Sequence, residues 1–563
     1  RAVIAILWRE LREICTKKRF FLTRAIVVAS PVLLVTFFLD ESQDADRMGR
    51  EIFAIGTGTL LIILMLVTPG MVASVLAEER HNNKLEVLSS APISLRGIVL
   101  GKWSARTAPI FVMALAALPF PASGLLFGGF APSQFLMASL VVFATVFVMS
   151  AVSVWLGAGT SSLGTAARNA YLVLFGWCLV MSIIPTMLDL QRGPKPPFTL
   201  SSLSLNPFIA MAAAVSPAGV GAAPAPFGLS MPSFYGMSAL VVGTAFLLLT
   251  PARLRRVVRR SARKASRVGP AGDAGIVAPR REGLLDRRPM LWLDLERHGG
   301  IVRMLMRRRV VLITVLLLEG FFVWQLMLQN GGGRAPGRQD LVFHVTAVGG
   351  VCFMTYLAAI ASGASAFHRD AEARTLEVLH ATPLETSELV GARVMSVLRG
   401  VAPLWGLAVL HFAFGVVASD LKFLGLVFFV PLTWLVTVAA VAFGCWCSLT
   451  TDKASRAVTK AFLIAAVLFI VWPILVVAMF VNSSSGETAA VLLLGQNPVY
   501  MTLFGPGFAD YLLSSNHGRS DDGITLLSFG WVAVYLAFVY WVLANQLGWL
   551  YHRKRALNWG PGR

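Results

Sequence analysis

The chain contains nearly the same sequence motif twice, as Lys84-Leu85-Glu86-Val87-Leu88 and as Thr375-Leu376-Glu377-Val378-Leu379. Each copy of this motif is called a phrase below. Each phrase is followed by a proline, and the two prolines, Pro92 and Pro383, keep the same offset (383 − 92 = 291). An offset held without a gap over this distance indicates two copies of one structural unit.

The same offset of 291 relates further pairs along the chain. It places Ala73-Ser74 on Ala364-Ser365, and Asn206-Pro207 on Asn497-Pro498. The duplicated polar phrase lies between apolar segments in each copy, so we expect it to carry the function.

The composition is that of a membrane protein. Of the 563 residues, 56% are hydrophobic and 14% are charged, and the mean hydropathy is +0.70; charged residues in soluble domains are nearer a quarter. Repeated apolar runs match the ~20 residues that a helix needs to cross a bilayer, and they lack the alternation of a membrane β-barrel.

We predict an all-α, polytopic membrane protein of about twelve transmembrane helices, arranged as two tandem six-helix repeats. The first repeat has spans near 20–39, 52–77, 107–128, 134–157, 170–188 and 233–251. The second has spans near 310–328, 342–367, 401–418, 423–447, 461–481 and 524–550. The predicted division is a first unit over 1–251, a basic linker over 252–288 and a second unit over 289–563.

The net charge of +20 comes from basic residues between the spans, mostly on one side. Basic clusters precede the first span, follow the second and sixth spans, and occur near Arg553, whereas the opposite loops carry Asp and Glu. The positive-inside rule then predicts both termini, the linker and both phrases in the cytoplasm. We expect the linker to contact anionic membrane lipid and not nucleic acid.

An amphipathic segment precedes each set of spans. Residues 3–17 carry Trp8 and other apolar residues at helical spacing, with charges on the other face, and residues 292–307 repeat the pattern less regularly. Such helices lie in the plane of the membrane, so we expect an elbow helix in each copy.

A proline- and glycine-rich region separates the last two spans of each copy on the predicted outer side. It contains the two Asn-Pro steps, Asn206-Pro207 and Asn497-Pro498. Asn-Pro commonly breaks a helix and starts a turn, and we predict extracellular-side turns there.

The chain lacks the motifs of a nucleotide-hydrolysing enzyme. Its Gly101-Lys102 pair is followed by Trp103, where a phosphate-binding loop requires Ser or Thr. The five cysteines have no zinc spacing, so we expect no bound metal or cofactor and no catalytic residue. Glu319 is an ionisable residue within a predicted span, which makes it a possible functional residue by default.

The duplicated phrase and its flanks resemble the type-2 permeases of ATP-binding-cassette (ABC) exporters. The matching positions in the first copy are Glu78, Glu79, Leu85, Glu86, Leu88, Pro92, Ile98, Gly101 and Lys102. Those in the second are Asp370, Leu376, Glu377, Leu379, Pro383, Leu389 and Arg393, and the departures are Arg369 for the first Glu and Ala392 for Gly101. The resemblance covers nearly the whole chain.

The resemblance implies that each phrase is a coupling helix that docks into an ABC ATP-binding subunit. It implies that ATP and Mg are bound by that partner, which the fused chain would engage in two copies, and that the protein is an exporter in the inner (cytoplasmic) membrane.

Two other functions remain open. A secondary transporter of the major-facilitator type also has six plus six spans, but its Gly-x-x-x-Asp-Arg-x-Gly loop and intramembrane acids for ion coupling are not visible here. A membrane enzyme or scramblase is less well supported, since no catalytic constellation converges at one depth. The apolar spans are compatible with lipids, hydrophobic drugs or peptides as substrates.

Overall fold

The computed structural model of the chain describes most of the predicted spans. The described residues are 18–38, 44–81, 94–160, 162–189, 204–217, 226–267, 338–368, 385–418, 423–468 and 534–556, with the single positions Trp8, Arg12, Thr16 and Gly320. These residues are helical with short connections, and no strand occurs among them. The chain separates into two compact units, Arg1–Ala274 and Gly275–Arg563.

The helices that the structure describes in the first unit are numbered here in chain order. They are α1 Lys18–Phe38, α2 Ala45–Val72, α3 Val75–His81, α4 Leu95–Ala117, α5 Pro119–Ser123, α6 Pro132–Ala158, α7 Leu163–Asp189, α8 Pro207–Val215 and α9 Met231–Arg267. Short 3-10 turns lie at Gly124–Leu126 and Pro226–Gly228.

The second unit contributes five more described helices. They are α10 Arg338–Ala364, α11 Thr386–Ala418, α12 Phe423–Leu449, α13 Ala454–Ala466 and α14 Leu547–Ala556. A π-helical turn at Val542–Gln546 leads into α14.

Seven described helices are long and apolar enough to cross a membrane. They cover Ala45–Arg80, Leu95–Leu126, Pro132–Ala158, Met231–Arg259, Ala347–Ala364, Thr386–Val416 and Phe429–Leu449, and Phe21–Thr36 is a shorter apolar helix. The protein is therefore a polytopic all-α membrane protein, as predicted. The predicted span at 310–328 and both elbow helices lie outside the residues described in continuous segments.

Helix α6 is at the centre of the first unit. It packs against α2, α4, α7, α8 and α9. Three hydrogen bonds join these helices through polar side chains. Trp103 donates to Ser150 at 3.0 Å, Tyr235 and Thr145 share a bond of 2.8 Å, and the Tyr171 hydroxyl donates to the carbonyl of Leu66 at 2.6 Å. Such bonds join helices where lipid offers no hydrophobic driving force between them.

The second unit repeats this packing. Helices α11, α12 and α13 begin 291 positions after α4, α6 and α7, and α12 also ends 291 positions after α6. Helix α12 packs against α10, α11 and α13, as α6 does against α2, α4 and α7. An indole again donates to a hydroxyl between equivalent helices, since Trp405 of α11 donates to Thr433 of α12 at 3.0 Å.

Both units contain a close helix crossing that only glycine permits. Helix α2 ends at Val72, and a Cβ on Gly157 of α6 would overlap the carbonyl oxygen of Ala73. In the second unit, a Cβ on Gly444 of α12 would lie 2.9 Å from the backbone nitrogen of Ala364, which is the residue equivalent to Ala73. Backbone atoms cannot move aside as a flexible side chain can, so these crossings fix the end of α2 against α6 and the end of α10 against α12.

Helix α9 extends further than the predicted span. The interpretation from sequence ended the sixth span at 251 and began a linker at 252, but α9 continues without a break to Arg267. The residues after Pro251 are mainly Ala, Arg, Lys, Val and Leu. Their hydropathy falls but several of them are strong helix formers, so the helix does not end where the apolar run does.

Candidate functional site

The ends of α3 and α4 are joined by two ion pairs. Lys102 Nζ of α4 lies 2.8 Å from Glu79 Oε1 of α3, and the Lys102 side chain is only 2% exposed while that of Glu79 is 14% exposed. Arg106 Nη2 and Glu78 Oε2 lie 3.7 Å apart, with each side chain about a quarter exposed. The buried pair therefore fixes α3 beside α4, and the second pair supplements it.

A third contact ties α3 to the end of α6. Arg80 Nη1 donates a hydrogen bond of 2.9 Å to the carbonyl oxygen of Thr160, which follows α6. The carboxylates of α3 thus contact α4, and the guanidinium of α3 contacts the connection from α6 to α7. Helix α3 is held on two sides.

Helix α9 is attached to the same end of the unit. The Arg253 guanidinium lies over the Trp155 ring of α6 at 3.7 Å from the ring centroid, within the range of a cation–π interaction. The same guanidinium packs closely against Gly159, where any Cβ would collide with it. The ends of α3 and α6, the start of α4 and the part of α9 around Arg253 are therefore connected.

The second unit binds the equivalent carbonyl with a different side chain. Thr451 is the counterpart of Thr160, and its carbonyl oxygen lies 3.0 Å from His368 Nε2. His368 Nδ1 lies 3.0 Å from Ser448 Oγ, and this Oγ also accepts from the Phe367 backbone N–H at 3.3 Å. Because a carbonyl only accepts, Nε2 must carry a proton, and a neutral ring then accepts from the Ser448 hydroxyl at Nδ1. Residues after α10 are thus fixed to the end of α12.

The predicted coupling residues that the structure describes cluster at these helix ends. Glu78 and Glu79 lie on α3, buried Gly101 and Lys102 lie on α4, and buried Arg393 lies on α11 at the position equivalent to Lys102. The other predicted residues lie outside the described residues: Leu85, Glu86, Leu88, Pro92, Asp370, Leu376, Glu377, Leu379, Pro383, Glu319, Asn497 and Pro498.

Glu79 and Lys102 bind each other inside the unit. Their role in coupling to an ATP-binding subunit stays a prediction. In the sequence, residues 82–93 join His81 at the end of α3 to Ser94, which caps α4 by accepting from the Gly97 N–H at 3.2 Å.

The first Asn-Pro step, which was predicted as an extracellular-side turn, lies at the start of α8. Asn206 caps α8 by accepting from the Phe208 N–H at 2.9 Å, and Pro207 is the first residue of the helix. Proline is favoured at this position because it has no N–H to leave unpaired. The buried Asn206 amide also donates to the Cys178 carbonyl of α7 at 3.0 Å, so the step joins α7 to α8.

Reasoning from sequence missed the roles of Arg80 and Arg253. Both were counted only as members of basic clusters, and their partners, a backbone carbonyl and an indole, lie far along the chain. The contact of Arg253 with Trp155 could have been predicted. Arg253 is the first basic residue after the sixth span, and Trp155 lies close to the end of the fourth span.

Comparison with known protein families gives a match that covers most of the first unit. Residues 4–254 match the family described as ABC-2 family transporter protein. No curated protein matches the chain with significant similarity.

Proposed function

Because residues 4–254 belong to the ABC-2 transporter family, we propose that this permease is the membrane component of an ATP-driven exporter whose ATP-binding subunits are separate polypeptides. The chain is an ABC permease component and a multi-pass membrane protein. We propose three further features: the direction of transport, the docking residues and the number of ATP-binding subunits.

The observation that carries the proposal is the buried pair of Lys102 and Glu79. It holds the end of α3 against the start of α4, and these are the two helix ends that residues 82–93 connect. A loop that receives force must be fixed at both ends, or the force would only bend the loop. We therefore assign docking to Leu85, Glu86, Leu88 and Pro92, and the transmission of force to Glu79 and Lys102.

The second unit supports a matching assignment. Residues 369–384 follow His368, which is fixed to Ser448 and Thr451, and they precede α11, where Arg393 is buried. The proposed docking residues here are Leu376, Glu377, Leu379 and Pro383. Asp370 occupies the position equivalent to Glu79, and we propose it as the partner of Arg393.

The mechanism follows from this arrangement. Closure of two ATP-binding subunits on ATP would press on both docking segments. Because α3 is bonded to α4 and to the end of α6, a push on one segment would move these helix ends together, and the unit would change its packing. A partner shifts such an equilibrium only through contacts that differ between the two packings.

Charge supports a cytoplasmic position for the docking segments. Arg80, Lys102, Arg106 and the arginines of α9 lie at the end that carries α3, whereas the start of α2 carries three acidic residues, Asp44, Asp46 and Glu51, against two basic ones, Arg47 and Arg50. The positive-inside rule favours the basic end in the cytoplasm, with both chain termini on that side of the inner membrane. Lipids, hydrophobic drugs and peptides remain open as substrate classes.

The test is an ATP-hydrolysis assay in proteoliposomes. The permease is reconstituted with its cognate ABC ATP-binding subunit, and the rate of hydrolysis is compared with that of the subunit alone. We expect the full chain to change the rate severalfold, and the Glu79→Gln variant to reduce this effect because the docking segment loses its support. An identical rate with and without the permease would contradict the proposal.

A further inference from the structure

Helix α9 presents an exposed face that changes from apolar to basic along its length. Met237, Val241 and Leu248 are 46%, 66% and 69% exposed, and Arg255 and Arg259 are exposed further along the same helix. We call these five residues the α9 lipid face.

The five residues lie in line because of their spacing. Successive members are four, seven, seven and four positions apart, and positions separated by four or seven fall on the same side of an α-helix. The apolar part spans about 16 Å from Met237 to Leu248, and Arg255 follows about 10 Å further on, at 1.5 Å per residue.

The arginines follow the apolar part of α9. Met231–Arg259 is apolar and long enough to cross a membrane, and its apolar run gives way to basic residues from Arg253 onward, so we place Arg255 and Arg259 at the depth of the lipid headgroups. Arginine side chains at such positions reach the interface with their charged ends. Arg253 on a different side of the helix is held over Trp155, so it is not part of the face.

Among the residues that the structure describes, the α9 lipid face has no acidic partner. Helix α9 contains no Asp or Glu, and among the residues that the structure describes no carboxylate pairs with Arg255 or Arg259. Basic residues continue on one side of α9 beyond the face. At 100° per residue, all seven basic positions from Arg255 to Arg267 occupy one half of the helix circumference.

We propose that the α9 lipid face binds an anionic phospholipid, with acyl chains along Met237, Val241 and Leu248 and the phosphate between Arg255 and Arg259. A guanidinium binds phosphate oxygens through paired N–H donors. The combination of an apolar stripe with two guanidinium groups at its end matches a phospholipid, whereas a nucleic acid would use the arginines but not the stripe. This proposal does not depend on the proposed transport function.

The test uses the full chain in a neutral detergent. Its thermal unfolding midpoint is measured while phosphatidylglycerol or phosphatidylcholine is added in mixed micelles. We expect phosphatidylglycerol to raise the midpoint in the wild type and phosphatidylcholine to have a much smaller effect. In Arg255→Gln/Arg259→Gln we expect the same midpoint without lipid but a half-maximal phosphatidylglycerol concentration about 25-fold higher, since each juxtamembrane arginine contributes about fivefold in affinity.

The matched control is Arg47→Gln/Arg50→Gln, which removes two exposed arginines from the first turns of α2. It should keep the wild-type response. An equal loss in both double variants would overturn the proposal, because the response would then reflect total charge. A wild-type response in Arg255→Gln/Arg259→Gln would overturn it directly.

Further measurements test whether another ligand or a second copy of the chain binds the α9 lipid face. Inorganic phosphate at the same concentration should give no shift, and a DNA duplex should not displace phosphatidylglycerol; a shift or displacement would overturn the assignment to lipid. A change of oligomeric mass in Arg255→Gln/Arg259→Gln with an unchanged lipid response would assign the face to a second copy of the chain.

Discussion

Lys102 Nζ and Glu79 Oε1 lie 2.8 Å apart at the contact of α4 with α3, and the lysine is almost fully buried. The two residues are 23 positions apart in sequence, and the connection between them contains the phrase Leu85-Glu86-Val87-Leu88. Their ion pair therefore joins the helices on either side of this connection. The pair fixes the end of α3 against the start of α4, which are the two helix ends that this connection joins.

Removal of the Glu79 carboxylate should destabilise the protein far more than removal of the Glu78 carboxylate. Glu79→Gln leaves the buried Lys102 ammonium without its carboxylate, which costs on the order of 3 kcal/mol. Glu78→Gln breaks a longer, partly exposed pair with Arg106 and should cost less than about 1 kcal/mol. Unfolding midpoints of the two variants in detergent measure the difference. Equal losses of stability would show that the Glu79–Lys102 pair is not the main connection.

The close crossing at Gly157 should not tolerate a side chain. Gly157→Ala places a methyl group on the backbone of Ala73, and such overpacking costs about 1–3 kcal/mol. The control is Gly58→Ala in α2, because a Cβ there meets nothing within 4 Å, and alanine should stabilise that helix by up to about 1 kcal/mol. The two alanine variants should therefore shift the unfolding midpoint in opposite directions. Two shifts of the same sign would contradict the geometry.

Asn206 has two separable functions that substitution can distinguish. Asn206→Ser keeps an oxygen that can cap α8 but loses the amide donor to Cys178, whereas Asn206→Ala loses both. We expect a loss of about 1 kcal/mol for the serine variant and of about 2 kcal/mol for the alanine variant. Chemical denaturation in detergent would measure these losses. An alanine variant as stable as the serine variant would show that the cap contributes nothing.

The sequence pattern was sufficient to predict the membrane class and the described spans. Apolar length decides whether a helix can cross a bilayer, and this information is local. The helix starts at Leu95, Pro132 and Leu163 recur 291 positions later at Thr386, Phe423 and Ala454, which agrees with the offset found in the duplicated phrase. The division into 1–251, 252–288 and 289–563 stays a prediction.

The coupling role of the residues at the helix ends stays a prediction, and their contacts inside the unit were not predicted. Glu79 and Lys102 were predicted from a resemblance that says which positions matter, while the distance between them depends on how α3 and α4 pack. Asn206-Pro207 was predicted as an extracellular-side turn, and its contact with α7 was not predicted because it depends on how the helices pack. The predicted span limit at 251 does not mark the end of α9 at Arg267, because hydropathy measures affinity for the membrane and not helix propensity.

The central claim is that the two phrases bind separate ATP-binding subunits, and co-purification tests it most directly. The cognate ABC ATP-binding subunit is captured from detergent extracts with the wild-type chain, with Glu86→Lys/Glu377→Lys, and with Glu51→Lys, a control near the opposite end of α2. We expect the wild type and the control to retain the subunit and the double variant to lose it while still entering the membrane. Normal retention of the subunit by the double variant would contradict the account.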